Sequence, residues 1–471
     1  MKHLKKIISL MLIAVMAISM IGCTPGSANP SESGNPDNNS GKTRTITIGV
    51  WWDIYYDSTH SDVLDDPSYS GSTADQMRFD VVKKVEEEFN VKFEYVNLTY
   101  TGVKDSINDS ILAGTPECDI YMCELAFGIP AALNGLAIDL NTVLKDDADV
   151  LSDQNVLSYL DLGDGKACLI KQVLGQNVVE ATYPLAYNKK LLDEANLEDP
   201  RELYKRGEWT WDKFVEYCQK LTKDTNGDGV NDQYGFTGFK EDVFSCLLLS
   251  NGASIASGTT EGLSSAATGE VLEFYSKLYN EYNVCSPYTW EDNGDVTRWE
   301  YINGNIGFWP SAAWIAANNA DYDWDGSKGS TLEFDTVYVP WPVGPSGDKE
   351  TNNGKYTSGT YWFIPNNIEE PELVYNVFEA LSNWYLDDTS VRDDKETMWW
   401  WYAVTGSKEE LQNENFDVMF QIGSKEQYDI YQGLGVAWDL ESLINGTVTA
   451  AQFQETYKQE IQAALDAYFK K

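Results

Sequence analysis

The residue types best suited to metal chemistry lie in one acidic, glycine-containing segment, residues 224–232. Oxygen donors recur there at alternate positions around a glycine turn, as a calcium-binding loop requires. The donors are Asp224, Asn226, Asp228, Asp232 and the main chain of Val230. The twelfth position is Gly235, so the usual bidentate glutamate is missing. The segment predicts a structural Ca²⁺ site, with a solvated acidic turn as the alternative, and no other cofactor is required.

Aromatic and carboxylate residues follow two predicted strands. Residues 45–50 alternate as a β-strand and lead into Trp51, Trp52 and Asp53, while Glu124 follows the strand-like segment 119–122. In α/β sheets, ligands bind beyond the carboxyl ends of the strands. These side chains are therefore candidate binding residues.

Histidine chemistry is nearly excluded. The chain holds only His3, in the N-terminal leader, and His60, in a Ser/Asp-rich segment. Triad hydrolases and histidine-ligated metalloenzymes are therefore poor candidates, whereas carboxylate catalysis stays open.

The net charge limits the partners of the protein. With 34 Lys+Arg against 74 Asp+Glu, the formal charge is -40, which repels nucleic acid and anionic lipid. The chain is also 42% hydrophobic and 13% aromatic, so it is not a disordered acidic polymer. We expect a sizeable core.

Strands and helices alternate along the first part of the chain. After the strand at 45–50, Phe79, Val82, Val85 and Phe89 fall at helical spacing, and residues 91–95 resume a strand. Such βαβ units predict an α/β fold with a mostly parallel sheet. Near the end of the chain, apolar residues every fourth position over 453–469 predict an amphipathic closing helix.

The N-terminus has the layout of a secretory signal peptide over residues 1–22: lysines, then an apolar run too short to span a membrane comfortably. The residues before Cys23 resemble a bacterial lipobox, which would make Cys23 the lipidated first residue, although an ordinary signal peptide is the alternative. Residues 23–43 read as the lipidated cysteine and a disordered tether rich in Ser, Gly, Asn and Pro.

Six further cysteines could form up to three disulfides outside the cell, with connectivity open. Cys118 and Cys123 bracket a predicted strand, which would hold them about 16 Å apart on opposite faces. We therefore expect that these two do not pair with each other. The sequence contains no Cys-x-x-Cys motif, so a zinc or redox site is not expected.

The order of local motifs resembles the extracellular solute-binding protein family 1, the sugar-binding lipoproteins of ABC importers. The matching segments, each weak alone, span nearly the whole mature chain. They are residues 111–119, 135–140, 186–192 with Pro200, 210–222, 304–314, 339–345, and 364–365 with the predicted helix at 372–381.

The resemblance implies a periplasmic-binding-protein-like fold: two α/β lobes joined by hinge crossovers, with a ligand cleft between them. The expected N-terminal lobe comprises residues 44–155 and 357–422. The expected C-terminal lobe comprises residues 156–356 and 423–471.

Family position also implies which residues line the cleft. Tyr187 resembles a sugar-stacking tyrosine, and Trp314 and Trp438 resemble further stacking platforms. Asp53 resembles an acceptor of sugar hydroxyls. Strand-end placement adds Trp51, Glu124 and Trp362. The alternative for each aromatic residue is packing in a core or between lobes.

These features predict a non-enzymatic substrate-binding component of an ABC importer. It would sit on the extracellular face of the cytoplasmic membrane, held only by its lipid anchor, and act as a monomer. It would capture a carbohydrate, expected to be an oligosaccharide, and deliver it to the permease subunits. The alternatives are a secreted carboxylate-based glycoside hydrolase and a surface adhesion protein.

Overall fold

The computed structural model describes residues 43–67, 69, 71–176, 183–287, 296–311, 333–349, 359–394, 409–423 and 431–469. The predicted signal peptide, Cys23 and nearly all of the tether lie outside these ranges. No helix among the described residues has both the length and the apolar character needed to cross a membrane. Residues 43–471 form one compact unit.

The first part of the chain alternates strands and helices, as the spacing predicts. Its elements are β1 (Arg44–Val50), α1 (Thr73–Phe89), β2 (Val91–Asn97), α2 (Tyr100–Asp109), β3 (Ile120–Cys123), α3 (Leu125–Leu133), β4 (Leu157–Tyr159) and β5 (Ile170–Gln172). Helix α1 begins at the N-cap Ser72, whose hydroxyl accepts from the Asp75 amide, and ends at Asn90 in the left-handed conformation.

The middle of the chain forms a second group of elements. They are β6 (Leu185–Asn188), α4 (Lys189–Glu194), α5 (Pro200–Arg206), α6 (Trp211–Leu221), β7 (Tyr234–Phe236), α7 (Lys240–Ser250), β8 (Ala256–Ser257), β9 (Thr260–Glu261), α8 (Ala266–Asn280), α9 (Val296–Ile302), β10 (Ile306–Pro310) and β11 (Thr336–Val339). Helix α6 shows the expected N-cap, because the Thr210 side chain accepts from the Lys213 amide.

The last part of the chain contributes one strand, five α-helices and a 3₁₀ turn among the described residues. They are β12 (Tyr361–Phe363), α10 (Pro371–Ser382), α11 (Thr389–Arg392), α12 (Glu409–Gly423), the 3₁₀ turn Gln432–Leu434, α13 (Leu440–Ile444) and α14 (Ala450–Phe469). The predicted closing helix at 453–469 is confirmed, with Phe453, Ile461 and Leu465 buried.

Two sheets organise the molecule. The first has the strand order β2-β1-β3-β12-β5-β4. Strands β1, β2 and β3 are parallel, whereas β12 runs antiparallel to β3 and β5, and β4 antiparallel to β5. The second sheet has the order β11-β6-β10-β7, with β6 antiparallel to both neighbours and β10 parallel to β7. Both sheets are therefore mixed rather than mostly parallel.

Each sheet carries its own hydrophobic core, which defines two α/β lobes. In the first lobe, Ile46, Ile48 and Val50 of β1 are fully buried against α1 and α10. In the second lobe, the core joins β6, β7, β10 and β11 to α6, α7, α8 and α14. The fold is mixed α/β and periplasmic-binding-protein-like, as predicted.

The sheets place the crossovers differently from the expected lobe boundaries. Strands β4 and β5 pair within the first sheet, although residues after 155 were expected in the second lobe. Helix α12 packs on β11 of the second sheet, although residues up to 422 were expected in the first lobe. The chain returns to the first lobe as β12, which inserts between β3 and β5.

Two segments that follow β5 and α11 lie side by side. The Gln176 amide donates to Asp393 Oδ1 over 3.3 Å. Gly175 lies so close to the Arg392 carbonyl that an added Cβ would overlap it. Glycine at position 175 thus allows the two backbones to approach closely.

All six cysteines of the described chain are free, buried thiols, so the disulfide alternative is not realised. Burial is the largest influence on their ionisation. It raises the pKa of Cys118 and of Cys168 to about 12. These thiols therefore stay protonated at neutral pH and act as small apolar groups in the cores.

Candidate functional site

Aromatic rings gather at the carboxyl edge of the first sheet. The Trp51 ring, directly after β1, lies 5.5 Å from the Trp52 ring and 5.8 Å from the Tyr100 ring, both in edge-on geometry. The Tyr100 ring lies 5.2 Å from that of Phe127 in α3. Because β1, β2 and β3 are parallel, the segments following all three strands meet at this edge.

Carboxylates are held within the same group of residues. The Tyr100 hydroxyl donates to Glu124 Oε2 over 3.0 Å, and Asn97 Nδ2 donates to Asp53 Oδ1 over 2.8 Å. The Asn97 side chain in turn accepts from the Thr99 amide. We call the seven residues Trp51, Trp52, Asp53, Asn97, Tyr100, Glu124 and Phe127 the first-lobe edge cluster.

Local backbone conformation places Tyr100 in this cluster. Thr99 has a positive φ of 65°, which turns the chain sharply between β2 and α2. Its side chain accepts from the Gly102 amide as the N-cap of α2. The first residue of the helix, Tyr100, is thereby placed over the sheet edge.

The cluster offers both apolar and polar surface to solvent. Trp52 is 46% exposed and Tyr100 48% exposed. Asp53 is exposed and Glu124 half-buried. Exposed flat rings beside carboxylate acceptors can cover the apolar face of a ligand and accept hydrogen bonds from its rim.

The insertion that follows the cluster is fixed by one buried carboxylate. Asp57 is only 2% exposed. Its Oδ1 accepts from the Thr59 amide and hydroxyl and lies 2.9 Å from His60 Nδ1, while its Oδ2 accepts from the Tyr95 amide of β2. His60 thus helps to fold this segment onto the sheet.

The structure places Tyr187 in the second-lobe core. It is 2% exposed on the central strand β6, with its ring 6.1 Å from that of Phe308. Its hydroxyl donates to Asp199 Oδ1 over 2.7 Å. Burial raises the pKa of Tyr187 far above its usual value, with the Asp199 charge adding to the rise.

A polar network extends from this tyrosine. The Arg201 guanidinium donates to both Oδ1 and Oδ2 of Asp199 and also pairs with Glu414 of α12. Burial favours a higher pKa for Asp199, but hydrogen bonds from Arg201 and Tyr187 outweigh it and lower the pKa below its usual value. The described contacts of Tyr187 are those of a residue that fixes α5 and α12 on the sheet.

The other predicted aromatic residues are also packed. Trp438 is half-buried, with its ring 6.4 Å from Phe244 and 6.1 Å from Tyr457. Trp362 is 6% exposed, with its ring 5.1 Å from Phe378. Trp314 lies outside the described residues.

The structure therefore brings together three of the predicted site residues, Trp51, Asp53 and Glu124. It leaves Tyr187 in the second-lobe core, Trp438 packed against that core, and Trp362 in the first-lobe core. A ligand-binding role for any of these residues stays a prediction.

Sequence reasoning missed Asn97, Tyr100 and Phe127. The available signal was the segment Asn97-Leu98-Thr99, a polar turn with a potential N-cap directly after the strand at 91–97. In the second sheet it also missed Phe239, which follows β7 at the carboxyl edge. That ring is half-buried and lies 5.5 Å from the ring of Trp309 at the end of β10.

Segment 224–232 is an exposed turn with many internal hydrogen bonds. Asp224 accepts from the Asn226, Gly227 and Gly229 amides, and Asp228 accepts from the Val230 amide. Hydrogen bonds from Gly229 and Gly227 lower the pKa of Asp224. Among the described residues, no group of three or more His, Cys, Asp or Glu side chains is arranged to hold a metal. Calcium binding by this segment stays a prediction that rests on its mixture of carboxylate, amide and main-chain oxygens.

Comparison with known proteins identifies the family. The model of the bacterial extracellular solute-binding protein family matches residues 70–390. No curated protein sequence matches the chain.

Solved structures share the fold at low sequence identity. A maltose/maltodextrin-binding domain from Bdellovibrio bacteriovorus bound to maltotriose has a TM-score of 0.58 at 15% identity, covering 91% of this chain and 100% of that one. UgpB from Mycobacterium tuberculosis, in complex with glycerophosphocholine, has a TM-score of 0.59 at 15% identity, covering 90% and 99%. A substrate-binding protein from Listeria monocytogenes in complex with cycloalternan has a TM-score of 0.54 at 16% identity, covering 91% and 99%.

The protein belongs to the bacterial extracellular solute-binding protein family. The predicted resemblance is thereby confirmed, and the two-lobed fold agrees with it.

We expect Asp57→Asn to destabilise the first lobe. The substitution puts an amide nitrogen where amide and hydroxyl donors now converge on a buried carboxylate, which costs about 2 kcal/mol of the free energy of unfolding. Urea denaturation measures this cost. Asp105→Asn, at an exposed position of α2, is the matched control and should change little. Equal stability of the two variants would contradict the role given to Asp57.

We expect Asp199→Asn to lower the free energy of unfolding by about 1 kcal/mol at pH 7. At this pH the ionised Asp199 of the unmodified protein accepts charge-assisted hydrogen bonds, which the variant weakens. Since its folded pKa is depressed, the stabilisation is present above the unfolded pKa of about 3.9 and is lost as the pH falls through the folded value. Unfolding measured from pH 7 to pH 3 should show the two proteins converging. Asp193→Asn, which removes an exposed ion pair with Lys189, is the control. A pH-independent difference would contradict this account.

Proposed function

We propose that this protein is the substrate-binding component of an ABC importer and that it captures an extracellular carbohydrate without chemically changing it. The observation that carries the proposal is the first-lobe edge cluster, where exposed rings stand beside carboxylates at the carboxyl ends of parallel strands. Membership of the solute-binding family supports the same conclusion.

The chemistry of the cluster suits a sugar. A pyranose has a face of C–H groups and a rim of hydroxyls. Trp52 and Tyr100 present flat surfaces that cover the C–H face with little loss of rotamer freedom. Asp53 and Glu124 are acceptors for hydroxyls, and ionised acceptors make stronger hydrogen bonds than neutral ones.

An oligosaccharide is the favoured ligand size. Two separately exposed rings provide surface for more than one sugar unit. Fold neighbours bound to maltotriose and to cycloalternan support this choice. A ligand that binds the closed form more tightly than the open form would then shift the protein toward closure of the second lobe over the edge cluster.

Cell location and partners complete the proposal. Lipidation at Cys23 would hold the protein on the outer face of the cytoplasmic membrane as a tethered monomer. The closed, liganded form would then dock on the permease subunits. The acidic composition makes nucleic acid an unsuitable partner.

The alternative function is a lipid-anchored glycoside hydrolase, because carboxylates and aromatic residues could also bind and cleave a sugar. Incubation with candidate oligosaccharides distinguishes the two. If the protein only binds the sugar, the sugar is recovered intact. Cleavage products that accumulate with turnover would contradict the binding proposal.

We expect Trp52→Ala to weaken carbohydrate binding roughly 30-fold, a loss of about 2 kcal/mol, because an exposed stacking surface is removed. Titration calorimetry with the oligosaccharide that gives the largest thermal shift measures the change. Leu112→Ala is the control, since it truncates a 71% exposed apolar side chain of the same lobe outside the cluster. Equal affinity of the two variants would remove Trp52 from the site.

We further propose that segment 224–232 binds one structural Ca²⁺. Adding Ca²⁺ at 100 times its Kd to chelator-treated protein should then stabilise it by about 2.7 kcal/mol, seen as a rise in Tm. Asp224→Asn should abolish this rise, while Asp146→Asn, at an exposed position of the first lobe, should keep it. An unchanged Tm of the unmodified protein would overturn the calcium proposal without touching the carbohydrate proposal.

A further inference from the structure

The segment Tyr431–Leu434 is anchored on the second lobe. Leu434 is 8% exposed and belongs to the second-lobe core. The Tyr431 hydroxyl donates to the Gly258 carbonyl over 3.1 Å, and the Tyr431 ring lies 6.3 Å from that of Phe469 at the end of α14. Contacts on both sides of Gly433 thus fix its position relative to the second sheet.

Gly433 itself lies against the first lobe. A Cβ added to Gly433 would lie 2.8 Å from Cδ of Pro130. It would also lie 2.9 Å from Cβ and 3.1 Å from Cγ2 of Ile129. Both residues belong to α3, and Ile129 is part of a first-lobe core. Separations below about 3 Å are repulsive for carbon atoms, so only a residue without a side chain fits here.

The contact adjoins the first-lobe edge cluster. Helix α3 begins immediately after Glu124, and Phe127, one of its first residues, packs on Tyr100. Ile129 and Pro130 follow within about one helical turn of Phe127, roughly 5 Å along the axis. The two lobes therefore meet next to the surface proposed to hold the ligand.

Space, and not backbone conformation, explains this glycine. Gly435, two residues later, has a φ of 71° and no atom within 4 Å of an added Cβ, so there the backbone requires glycine. Gly433, in contrast, does not have a positive φ. Alanine at 433 would consequently be free of backbone strain, and its only cost would come from contact with α3.

We infer that Gly433 is a positioning residue for lobe closure: its missing side chain lets the second lobe seat on α3 and sets how narrow the cleft becomes beside the edge cluster. The seating itself is independent of ligand identity. Its consequence for affinity rests on the proposed carbohydrate function.

The test compares Gly433→Ala and Gly433→Trp with the unmodified protein by small-angle scattering, without ligand. We expect a larger radius of gyration in both variants and a larger increase for tryptophan. Gly269→Ala is the control, because a Cβ at that helical position meets only the flexible end of Gln454, at 3.3 Å. A Gly433→Trp protein with the radius of the unmodified protein would overturn the inference.

A second variant separates lobe seating from damage to the fold. Pro130→Ala removes the Cδ atom that a Cβ at 433 would meet, and α3 should tolerate it because proline is disfavoured within a helix. We expect Gly433→Ala/Pro130→Ala to recover part of the lost compaction. A double variant as expanded as Gly433→Ala alone would count against a direct contact.

Ligand binding supplies the last readout. Overpacking by one methyl group should weaken the affinity of Gly433→Ala for the best oligosaccharide roughly tenfold, with partial recovery in the double variant. An unchanged affinity would contradict the placement of this contact beside the ligand. If no carbohydrate binds the unmodified protein, the carbohydrate proposal fails, and the ligand-free scattering still decides the role of Gly433.

Discussion

Parallel pairing of β1 with β2 and β3 is the constraint on which the rest of the structure depends. It brings the ends of three strands, which lie between residues 50 and 123 of the sequence, to one sheet edge. Trp51 follows β1, Asn97 ends β2 and Glu124 follows β3. Hydrogen-bonded turns then fix the residues that follow the strands: Thr99 places Tyr100 over the sheet edge, and Asp57 holds the long insertion on β2. The strand topology therefore brings the residues of the edge cluster together, and local capping then fixes their conformation.

The sequence predicted the elements of this edge because βαβ units have strong local signals. Apolar residues at helical spacing over 79–89 and an alternating strand at 45–50 each specify one buried face. Trp51 and Asp53 could be placed from the strand at 45–50, and Glu124 from the strand-like segment 119–122. Tyr100 could not, because its position depends on a positive φ at Thr99, which threonine rarely adopts and which no periodicity reveals.

The second lobe was harder to predict for a related reason. Strand β6 lies between β10 and β11, and all four of its residues are buried. Alternation therefore gives no indication of which face Tyr187 occupies, and a motif that located the strand could not orient its side chain. Strands β4 and β5 have three residues each, too few to show a period, so their place in the first sheet was missed as well.

A contact between the lobes affects binding even when it touches no ligand. The apparent affinity equals the intrinsic affinity multiplied by the fraction of protein in the competent state. Seating of Gly433 on α3 stabilises the arrangement in which the second lobe stands over the edge cluster, so it raises that fraction before a ligand arrives. The same contact cannot by itself discriminate between sugars that fit the closed cleft equally well. Under the proposed function, the rings and carboxylates of the cluster contribute to this discrimination, whereas Gly433 sets how much of the binding free energy offsets the cost of closure.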